Sequence, residues 1–243
     1  MQIKGVRQWA AGAALLLGAV QAQALTVFST DFDGALAGQL TPGEATLTGV
    51  QGFAGLGNGG NVFGGQFLRS ATGNLVTLTL TGLPAHTELS LGFLMAAIDS
   101  LDGTGSFPQG DFLNITVDGV SVLRESFANA LESQVQSYVA PAGGELLRRQ
   151  ERGFGAGFYY LDSAYDLSLD TRLQGIAHTA ATATITFQME GPGIQPLDDE
   201  SWAMDNLTVS VTPVPEPSTT ALLIGGLAAV AAAGARRRRG GQG

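Results

Sequence analysis

The sequence predicts an all-β domain, a two-sheet β-sandwich of the jelly-roll type, between an N-terminal signal helix and a C-terminal transmembrane helix. Three observations predict this fold: several central segments alternate apolar and polar residues, glycine and threonine are frequent, and long helical patterns are confined to the two ends. Short strands with one apolar face, separated by Gly-rich turns, bury that face by pairing two sheets. Residues 34–66 and 124–152 have no clear pattern.

The first 24 residues have the three parts of a secretory signal peptide. Lys4 and Arg7 supply positive charge, an apolar run follows at residues 9–20, and Ala22 and Ala24 form a small-x-small cleavage site. The apolar run is shorter than the roughly 20 residues that cross a bilayer core. We therefore expect cleavage after Ala24, and a retained N-terminal anchor is the alternative.

The C-terminal end combines three elements that point to a membrane. They are, in order, Val214-Pro215-Glu216-Pro217, an apolar stretch at about 219–235, and Arg236, Arg237, Arg238 and Arg239. A helix over residues 221–235 rises about 22 Å, which is short for a bilayer core of about 30 Å. Because arginines resist crossing the membrane, we expect the C-terminus to stay in the cytoplasm and the preceding domain to face outward.

This order of a Pro-Glu-Pro motif, an apolar helix and an arginine cluster, over residues 214–239, resembles the PEP-CTERM sorting signal. The resemblance implies an exosortase-type membrane enzyme as partner and cleavage near Pro215-Glu216-Pro217. It further implies an inner-membrane anchor before processing, then a cell-surface or extracellular location in a Gram-negative bacterium that makes exopolysaccharide. The alternative is an ordinary single-pass anchor in which the prolines stiffen a stalk.

Composition limits the partners of the outer domain, residues 25–213. This region carries six arginines, no lysine and 20 acidic residues, which gives a formal charge of −14. Nucleic acid is excluded as a partner because phosphate binding needs a basic surface, whereas cations are attracted. The chain has no cysteine, so disulfides, thiolate zinc sites and cysteine nucleophiles are excluded as well.

The alternation of apolar and polar residues predicts four strands and one hairpin. The expected inward residues of the strands are Val76, Leu78 and Leu80; Leu89, Leu91, Phe93 and Met95; Ala183, Ile185, Phe187 and Met189; and Leu207, Val209 and Val211. The Asp-Gly pair at 118–119 predicts a type I′ turn. That turn would pair Val117 with Val120 and Ile115 with Val122, with all four residues on one face of the hairpin.

Asp205 is the first candidate metal ligand. It shares strand parity with the apolar residues that follow it, so we expect its carboxylate at the end of the inward face, where it must be paired, hydrogen-bonded or metal-bound. If the terminal strands are neighbours, Asp31 and Asp33 approach it and form an oxygen site suited to Ca²⁺. These segments resemble the terminal strands of MAM-like and carbohydrate-binding sandwich domains, which hold a structural cation there. The alternative is a carboxylate that accepts backbone N–H groups.

A second acidic group comprises Asp99, Asp102 and Asp111. It precedes a predicted strand and is similar to cation-stabilised loops, although it lacks the ordered spacing and the closing glutamate of an EF-hand. We expect either a second calcium site or a solvated Asp-Gly turn. The acidic run at 198–200 could join either site, but an exposed loop is the favoured interpretation.

Catalytic patterns are sparse. His86 and His178 are the only histidines, and a Gly-x-Ser-x-Gly nucleophile elbow is absent from the sequence. We expect His178 in a loop or at a strand edge. A carboxylate pair could support glycoside hydrolysis, but acidic residues are too common here for that to carry weight. The sequence therefore predicts that the protein is not an enzyme.

Trp202 is the candidate ligand-binding residue because it is the only tryptophan in residues 25–213. Alternation places its side chain on the face of the strand opposite to that of Asp205. There it could point outward as a platform for a sugar ring, or it could cap the edge of the core.

The sequence as a whole predicts a non-catalytic structural or binding protein of the cell surface or extracellular matrix. The first alternative is a carbohydrate-binding module that holds exopolysaccharide, and the second is a hydrolase.

Overall fold

The computed structural model describes residues 23–104, 110–155, 160–214 and 224–231. Within these residues the chain forms fifteen β-strands, all between Gln23 and Val214. The strands are β1 Leu25–Thr30, β2 Leu40–Thr41, β3 Thr46–Gly49, β4 Gly57–Asn58, β5 Asn61–Val62, β6 Gln66–Ala71, β7 Leu75–Thr81, β8 His86–Asp99, β9 Phe112–Val117, β10 Val120–Ser126, β11 Glu145–Gln150, β12 Asp162–Asp166, β13 Ile176–Ala177, β14 Thr182–Glu190 and β15 Glu200–Pro213. Short 3₁₀ helices are Gln51–Phe53, Leu167–Leu169 and Thr171–Leu173.

Eight of these strands form the four-stranded centres of the two large antiparallel sheets. The first sheet has the order β6-β15-β8-β12 and the second has the order β7-β14-β9-β10. If only these eight strands are counted, in chain order from β6, the first sheet has the order 1-8-3-6 and the second has the order 2-7-4-5. This is the strand order of a jelly roll. Five further strands extend these sheets: β1 pairs with β15, β13 with β8, β3 with β6, β11 with β12, and β2 with β7. The remaining two, β4 and β5, pair with each other in a separate two-stranded sheet. The all-β fold predicted from the sequence is confirmed.

The main core lies between the two sheets. All four sets of residues predicted to face inward on β7, β8, β14 and β15 are buried. The rings of Phe93 on β8 and Phe187 on β14 meet edge to face, with their centroids 5.6 Å apart. Removal of these apolar faces from water is the main force that holds the sheets together.

A second core, not predicted from the sequence, covers the outer face of the first sheet. Phe53 and Phe63 belong to the Gly-rich region at 34–66 that lacked a pattern, Phe67 follows it on β6, and the three rings pack in one cluster with Phe154. Their partners on β8 include Leu94 and other residues that alternate with the inward set. Both faces of β8 are therefore buried near its end, which explains the continuous apolar run there.

The hairpin of β9 and β10 departs from its predicted register. Asp118 and the glycine after it have positive φ values of 49° and 79°, so the predicted turn type is consistent with the structure. Val120 pairs with Val117, but a bulge then pairs Leu123, not Val122, with Ile115. Val120 is 67% exposed and Leu123 only 2%. The prediction of four apolar residues on one face was wrong, because one extra residue reverses the facing of every residue beyond it.

A second bulge reverses the predicted facing on β15. Asn206 has a φ of 51°, and the pairing with β8 shifts between Asp205 and Thr208. Trp202 therefore belongs to the main core, as does Leu207, whereas Asp205 lies on the outer face of the sheet. The prediction of an inward Asp205 was wrong, because parity counted back from Leu207 does not allow for the bulge. Of the two alternatives for Trp202, the outward platform was wrong, and the burial of the side chain agrees with the position at the core.

Beyond the strands, residues 224–231 are α-helical. Among the residues that the structure describes, no helix is long and apolar enough to cross a membrane.

Candidate functional site

Three buried carboxylates from separate segments meet where β8 ends and β15 begins. Asp102 follows β8, Asp111 directly precedes β9, and Glu200 is the first residue of β15. One carboxylate oxygen of each residue lies within 4.8 Å of the other two. The exposed fractions of the three residues are 8%, 3% and 0%. We call this group the acid cluster.

Hydrogen bonds satisfy only part of the acid cluster. The Asp102 backbone N–H donates to Asp111 Oδ2, and the side-chain amide of Gln134 donates to Asp102 Oδ1. Gln195 Nε2 donates to Glu200 Oε1 over 2.6 Å. Glu200 Oε2 is buried and accepts no hydrogen bond. None of the ion pairs within the described ranges involves the cluster, so its negative charge has no cationic partner there.

These surroundings disfavour the ionised carboxylates. Burial raises the pKa of Glu200 to about 9, and the neighbouring charges of Asp111 and Asp102 raise it further. Burial likewise raises the pKa of Asp111 to about 6, and it raises the pKa of Asp102. The three groups compete for few protons, so they titrate together. The arrangement is suited to a positive charge or a shared proton between the carboxylates.

Asp99 does not lie in this cluster, although the sequence placed it beside Asp102 and Asp111. Its backbone N–H donates to Asp162 Oδ1 over 3.0 Å. Both Asp99 carboxylate oxygens are buried without a hydrogen bond. Burial, followed by the charge of Asp162, raises the pKa of Asp99 to about 7, while Arg69 lowers it. Asp99 therefore forms a separate buried pair with Asp162.

Glu200 takes the place that Asp99 was expected to fill. The sequence favoured an exposed loop for residues 198–200, and for Glu200 that was wrong because its exposed fraction is 0%. The signal was present in the alternation of β15, since Glu200, Trp202 and Met204 occupy every second position. The pattern is missed if the inward positions of β15 are counted back from Leu207 in steps of two, because the bulge at Asn206 shifts the alternation by one residue.

The structure brings the terminal strands together as predicted, with β1 antiparallel to β15. The backbone N–H groups of Gly64 and Asn206 donate to Asp205 Oδ2 and Oδ1 over 3.1 and 2.7 Å. Burial raises the pKa of Asp205 to about 7, with smaller contributions from Asp33 and Asp31. The oxygens of these three carboxylates are not all within 4.8 Å of one another. The geometry matches the backbone-bonded alternative, and a cation at Asp31, Asp33 and Asp205 stays a prediction.

The two histidines bind each other. His86 Nε2 and His178 Nδ1 are 2.7 Å apart, and the rings stack with centroids 5.0 Å apart. His86 Nδ1 lies 2.6 Å from the carbonyl oxygen of Pro84, and His178 Nε2 lies 3.1 Å from Asp118 Oδ2. All four ring nitrogens therefore have partners that are not serine hydroxyls. His178 lies in the loop that follows β13, as expected from the sequence, and both histidines are buried.

Trp202 cannot serve as the predicted surface platform, because its exposed fraction is 0%. A polar groove of about 600 Å³ lies beside β1. Its lining includes Ser29, Asp31, Asn61, Asn206 and Thr208. Hydroxyl, amide and carboxylate groups line this groove without any aromatic side chain.

The sorting residues fall largely outside the described ranges. Those residues are Ala22, Pro215, Glu216, Pro217, Arg236, Arg237, Arg238 and Arg239. Val214 is described, and its backbone N–H donates to the carbonyl oxygen of Ala85 over 3.0 Å. Ala24 directly precedes β1. The folded domain therefore extends from the expected signal cleavage site to the first residue of the expected sorting motif.

A PEP-CTERM protein-sorting motif matches residues 213–239 of the chain. The resemblance noted in the sequence is thereby confirmed, and the motif marks the chain as an exported protein that an exosortase processes at the membrane. No curated protein matches the sequence.

The solved structures that resemble this chain include carbohydrate-binding and glycoside hydrolase domains. The CBM22-2 xylan-binding domain of Paenibacillus barcinonensis Xyn10C is 12% identical, with a TM-score of 0.34, and the match covers 76% of this chain and 99% of that chain. The catalytic domain of a GH87 alpha-1,3-glucanase is 18% identical, with a TM-score of 0.33, over 82% of this chain and 30% of the enzyme. The chain thus spans under a third of the glucanase domain. Overlaps at these TM-scores define no shared function.

Proposed function

We propose that this protein is a non-catalytic structural or binding component of the cell surface or extracellular matrix, delivered there by exosortase processing. The observation that carries the proposal is the sorting motif at residues 213–239, which begins where β15 ends. The folded domain is thus placed directly before the processing signal. Its formal charge of −14 suits an outer surface in contact with cations.

Before processing, the C-terminal segment at about 219–235 anchors the chain in the inner membrane. The helix at residues 224–231 supports this part of the proposal, since only a hydrogen-bonded helix or a closed barrel crosses a bilayer. The arginines at 236–239 keep the C-terminus on the cytoplasmic side. Cleavage near Pro215-Glu216-Pro217 then separates the domain from its anchor.

The absence of catalysis in this proposal is supported by the histidines. A serine nucleophile needs a histidine nitrogen within hydrogen-bond reach as its general base. The ring nitrogens of His86 and His178 are hydrogen-bonded to each other, to the carbonyl oxygen of Pro84 and to the carboxylate of Asp118. A hydrolase of the Ser-His-Asp class would have to break this chain of hydrogen bonds.

Mass spectrometry of the mature protein tests the sorting step. In a host that has an exosortase, we expect a product that begins at Leu25 and ends near Pro215-Glu216-Pro217. A variant with Pro215, Glu216 and Pro217 all changed to alanine should keep its arginine cluster and stay in the membrane fraction. Pro196→Ala, in a loop of the folded domain, is the matched control and should be processed normally. A wild-type product that retains Arg236–Arg239 would contradict the proposal.

A second candidate function is the binding of exopolysaccharide in the polar groove. The groove offers hydroxyl, amide and carboxylate groups that hydrogen-bond to sugar hydroxyls, and its volume of about 600 Å³ suits a small ligand. This site replaces Trp202, which is buried. Without an aromatic platform the groove lacks the stacking surface of many sugar sites, so this candidate ranks second.

A steric block tests the groove. Ser29 and Thr26 are both exposed positions of β1, but only Ser29 lines the groove. Ser29→Phe should abolish most retention of the chain on immobilised exopolysaccharide, whereas Thr26→Phe should leave it unchanged. Equal retention of both variants and the wild-type chain would reject the groove as the binding site.

A further inference from the structure

We propose that the acid cluster of Asp102, Asp111 and Glu200 is a binding site for one calcium-class divalent cation. The site differs from the one that the terminal strands predicted at Asp31, Asp33 and Asp205. It does not depend on the proposed function, because it follows from the geometry, burial and hydrogen bonding of the three carboxylates.

The spacing of the oxygens fits a single ion. Calcium binds oxygen ligands at 2.3–2.6 Å, so two oxygens on one ion are at most about 5 Å apart. The acid cluster meets this limit, since one oxygen of each carboxylate lies within 4.8 Å of the other two. All three donors are carboxylates, which are hard ligands that prefer calcium or magnesium to softer metals. Three carboxylates also supply enough oxygens for the six to eight positions of calcium once waters are added.

A separate observation points to a ligand. Glu200 has an exposed fraction of 0%, and its Oε2 atom accepts no hydrogen bond. Buried carboxylate oxygens in folded proteins are almost always paired. Glu200 Oε2 has no donor from the described residues, so it needs either a cation or a proton shared with the Asp111 carboxylate beside it. Gln195 holds the other oxygen, Oε1, and thereby fixes the orientation of the carboxylate toward Asp102 and Asp111.

Charge balance favours the same conclusion. Three ionised carboxylates in a buried site repel one another, and the described part of the chain supplies no ion pair to them. A divalent cation neutralises two of the three charges. It would also cross-link the end of β8, the start of β9 and the start of β15, which are distant in sequence.

Thermal unfolding of the full chain in a mild detergent is the main test. Extracellular calcium modules bind with dissociation constants near 10⁻⁴ M or weaker, so 5 mM calcium chloride should raise the Tm by roughly 5 °C over EDTA. Glu200→Gln should lose this calcium gain while melting in EDTA no lower than the wild-type chain. The variant keeps an oxygen for Gln195 and can no longer ionise inside the buried cluster, so a purely structural role of Glu200 predicts the opposite result in EDTA.

Asp205→Asn is the matched control, because Asp205 is also a buried carboxylate on β15 but lies outside the cluster. It should keep the full calcium gain, whatever its own Tm in EDTA. If Glu200→Gln fails to fold, Asp102→Asn provides the same comparison. Three results would overturn the proposal: no calcium effect on the wild-type chain, an undiminished effect in Glu200→Gln, or a loss confined to Asp205→Asn. The first would mean that shared protons alone neutralise the cluster.

Terbium luminescence locates the ion independently of stability. Glu200 and Trp202 share one face of β15 and are two positions apart, so their Cα atoms are separated by about 7 Å. Terbium in the acid cluster should therefore emit when tryptophan is excited, and added calcium should quench that emission. Trp202→Phe should remove most of the signal, because Trp202 is the one tryptophan of residues 25–213. Emission that survives in Glu200→Gln would contradict the assignment.

Discussion

The two faces of β15 carry the same kind of group in different surroundings. Glu200 lies on the face that continues into the main core, and Asp205 lies on the opposite face, under the second core. Both carboxylates are fully buried. Each oxygen of Asp205 accepts a backbone N–H, whereas Glu200 has an oxygen that accepts nothing. The difference teaches that burial alone does not mark a binding site, and that unused acceptor capacity is the more specific sign.

The largest effect is expected from the core face of β15. Trp202→Ala should lower the free energy of unfolding by about 3–5 kcal/mol, because it leaves a large cavity between the sheets. Urea unfolding measures the change. Tyr160→Ala removes an aromatic ring that is 49% exposed and should change stability by less than about 0.5 kcal/mol. An equally small effect of Trp202→Ala would mean that this face of β15 is not buried.

The pH dependence of the metal-free chain should separate the two faces. The folded-state pKa is raised to about 9 for Glu200 and to about 7 for Asp205, so the native state holds protons that the unfolded chain has released. Stability present below the unfolded pKa values is therefore lost as the pH rises through about 7 and then about 9. In EDTA we expect the free energy of unfolding, measured with urea, to fall by about 2 kcal/mol in total between pH 5 and pH 9. This is less than the raised pKa values alone would give, because the neighbouring carboxyls titrate together.

Single substitutions assign the two pH windows. Glu200→Gln should flatten the profile up to about pH 9, most clearly between about pH 7 and pH 9. Asp205→Asn should reduce the slope only below about pH 7, where Asp99 also contributes. Stability that rises with pH across this range in EDTA would show that the carboxylates are ionised and paired in the native state, against the comparison drawn here.

A smaller effect is expected from the outer face. Asp205→Ala leaves the backbone N–H groups of Gly64 and Asn206 without an acceptor, which should cost about 1–3 kcal/mol in urea unfolding. Asp205→Asn keeps one acceptor oxygen and should cost roughly half as much. If both variants are as stable as the wild-type chain at pH 6, the two backbone bonds contribute nothing and the distinction from Glu200 disappears.

The smallest effect is expected at the bulge that separates the faces. Asn206 has a φ of 51°, and its side chain donates to Asn61 Oδ1 and to the carbonyl oxygen of Val62. Asn206→Gly loses these bonds but adopts the left-handed backbone without strain, so the net change should be below about 1 kcal/mol. Asn206→Ala should cost about 1 kcal/mol more, because alanine meets the left-handed penalty. Equal stability of the two variants in urea would argue against the bulge.

The sequence predicted the parts of the fold that depend on local alternation. The inward residues of β7, β8, β14 and β15 are buried as expected, because a period of two is a direct consequence of strand geometry. Alternation cannot reveal a bulge, and for that reason the predicted facings of Asp205 and Val120 were wrong, as was the outward alternative for Trp202. The second core was equally invisible, since Phe53, Phe63 and Phe67 are separated by glycines and acquire their burial only from the sheet beneath them.

The candidate site was predictable only in part. Asp102 and Asp111 are close in sequence and stood out as an acidic group, but Glu200 joins them from 89 positions beyond Asp111. Only the antiparallel pairing of β15 with β8 brings it there. Residue type and spacing therefore identified two of the three carboxylates, and tertiary topology was needed for the third.

The hydrogen bond from Val214 to Ala85 determines what exosortase processing leaves behind. The last strand is held in the sheet through Pro213, where it pairs with His86, so hardly any loose chain separates the folded body from the Pro-Glu-Pro motif. Cleavage at that motif would produce a domain with a stub of only a few residues. A group joined to the new carboxyl end would lie directly beside the folded domain. A pulling force on that bond would act along β15, a central strand of the first sheet.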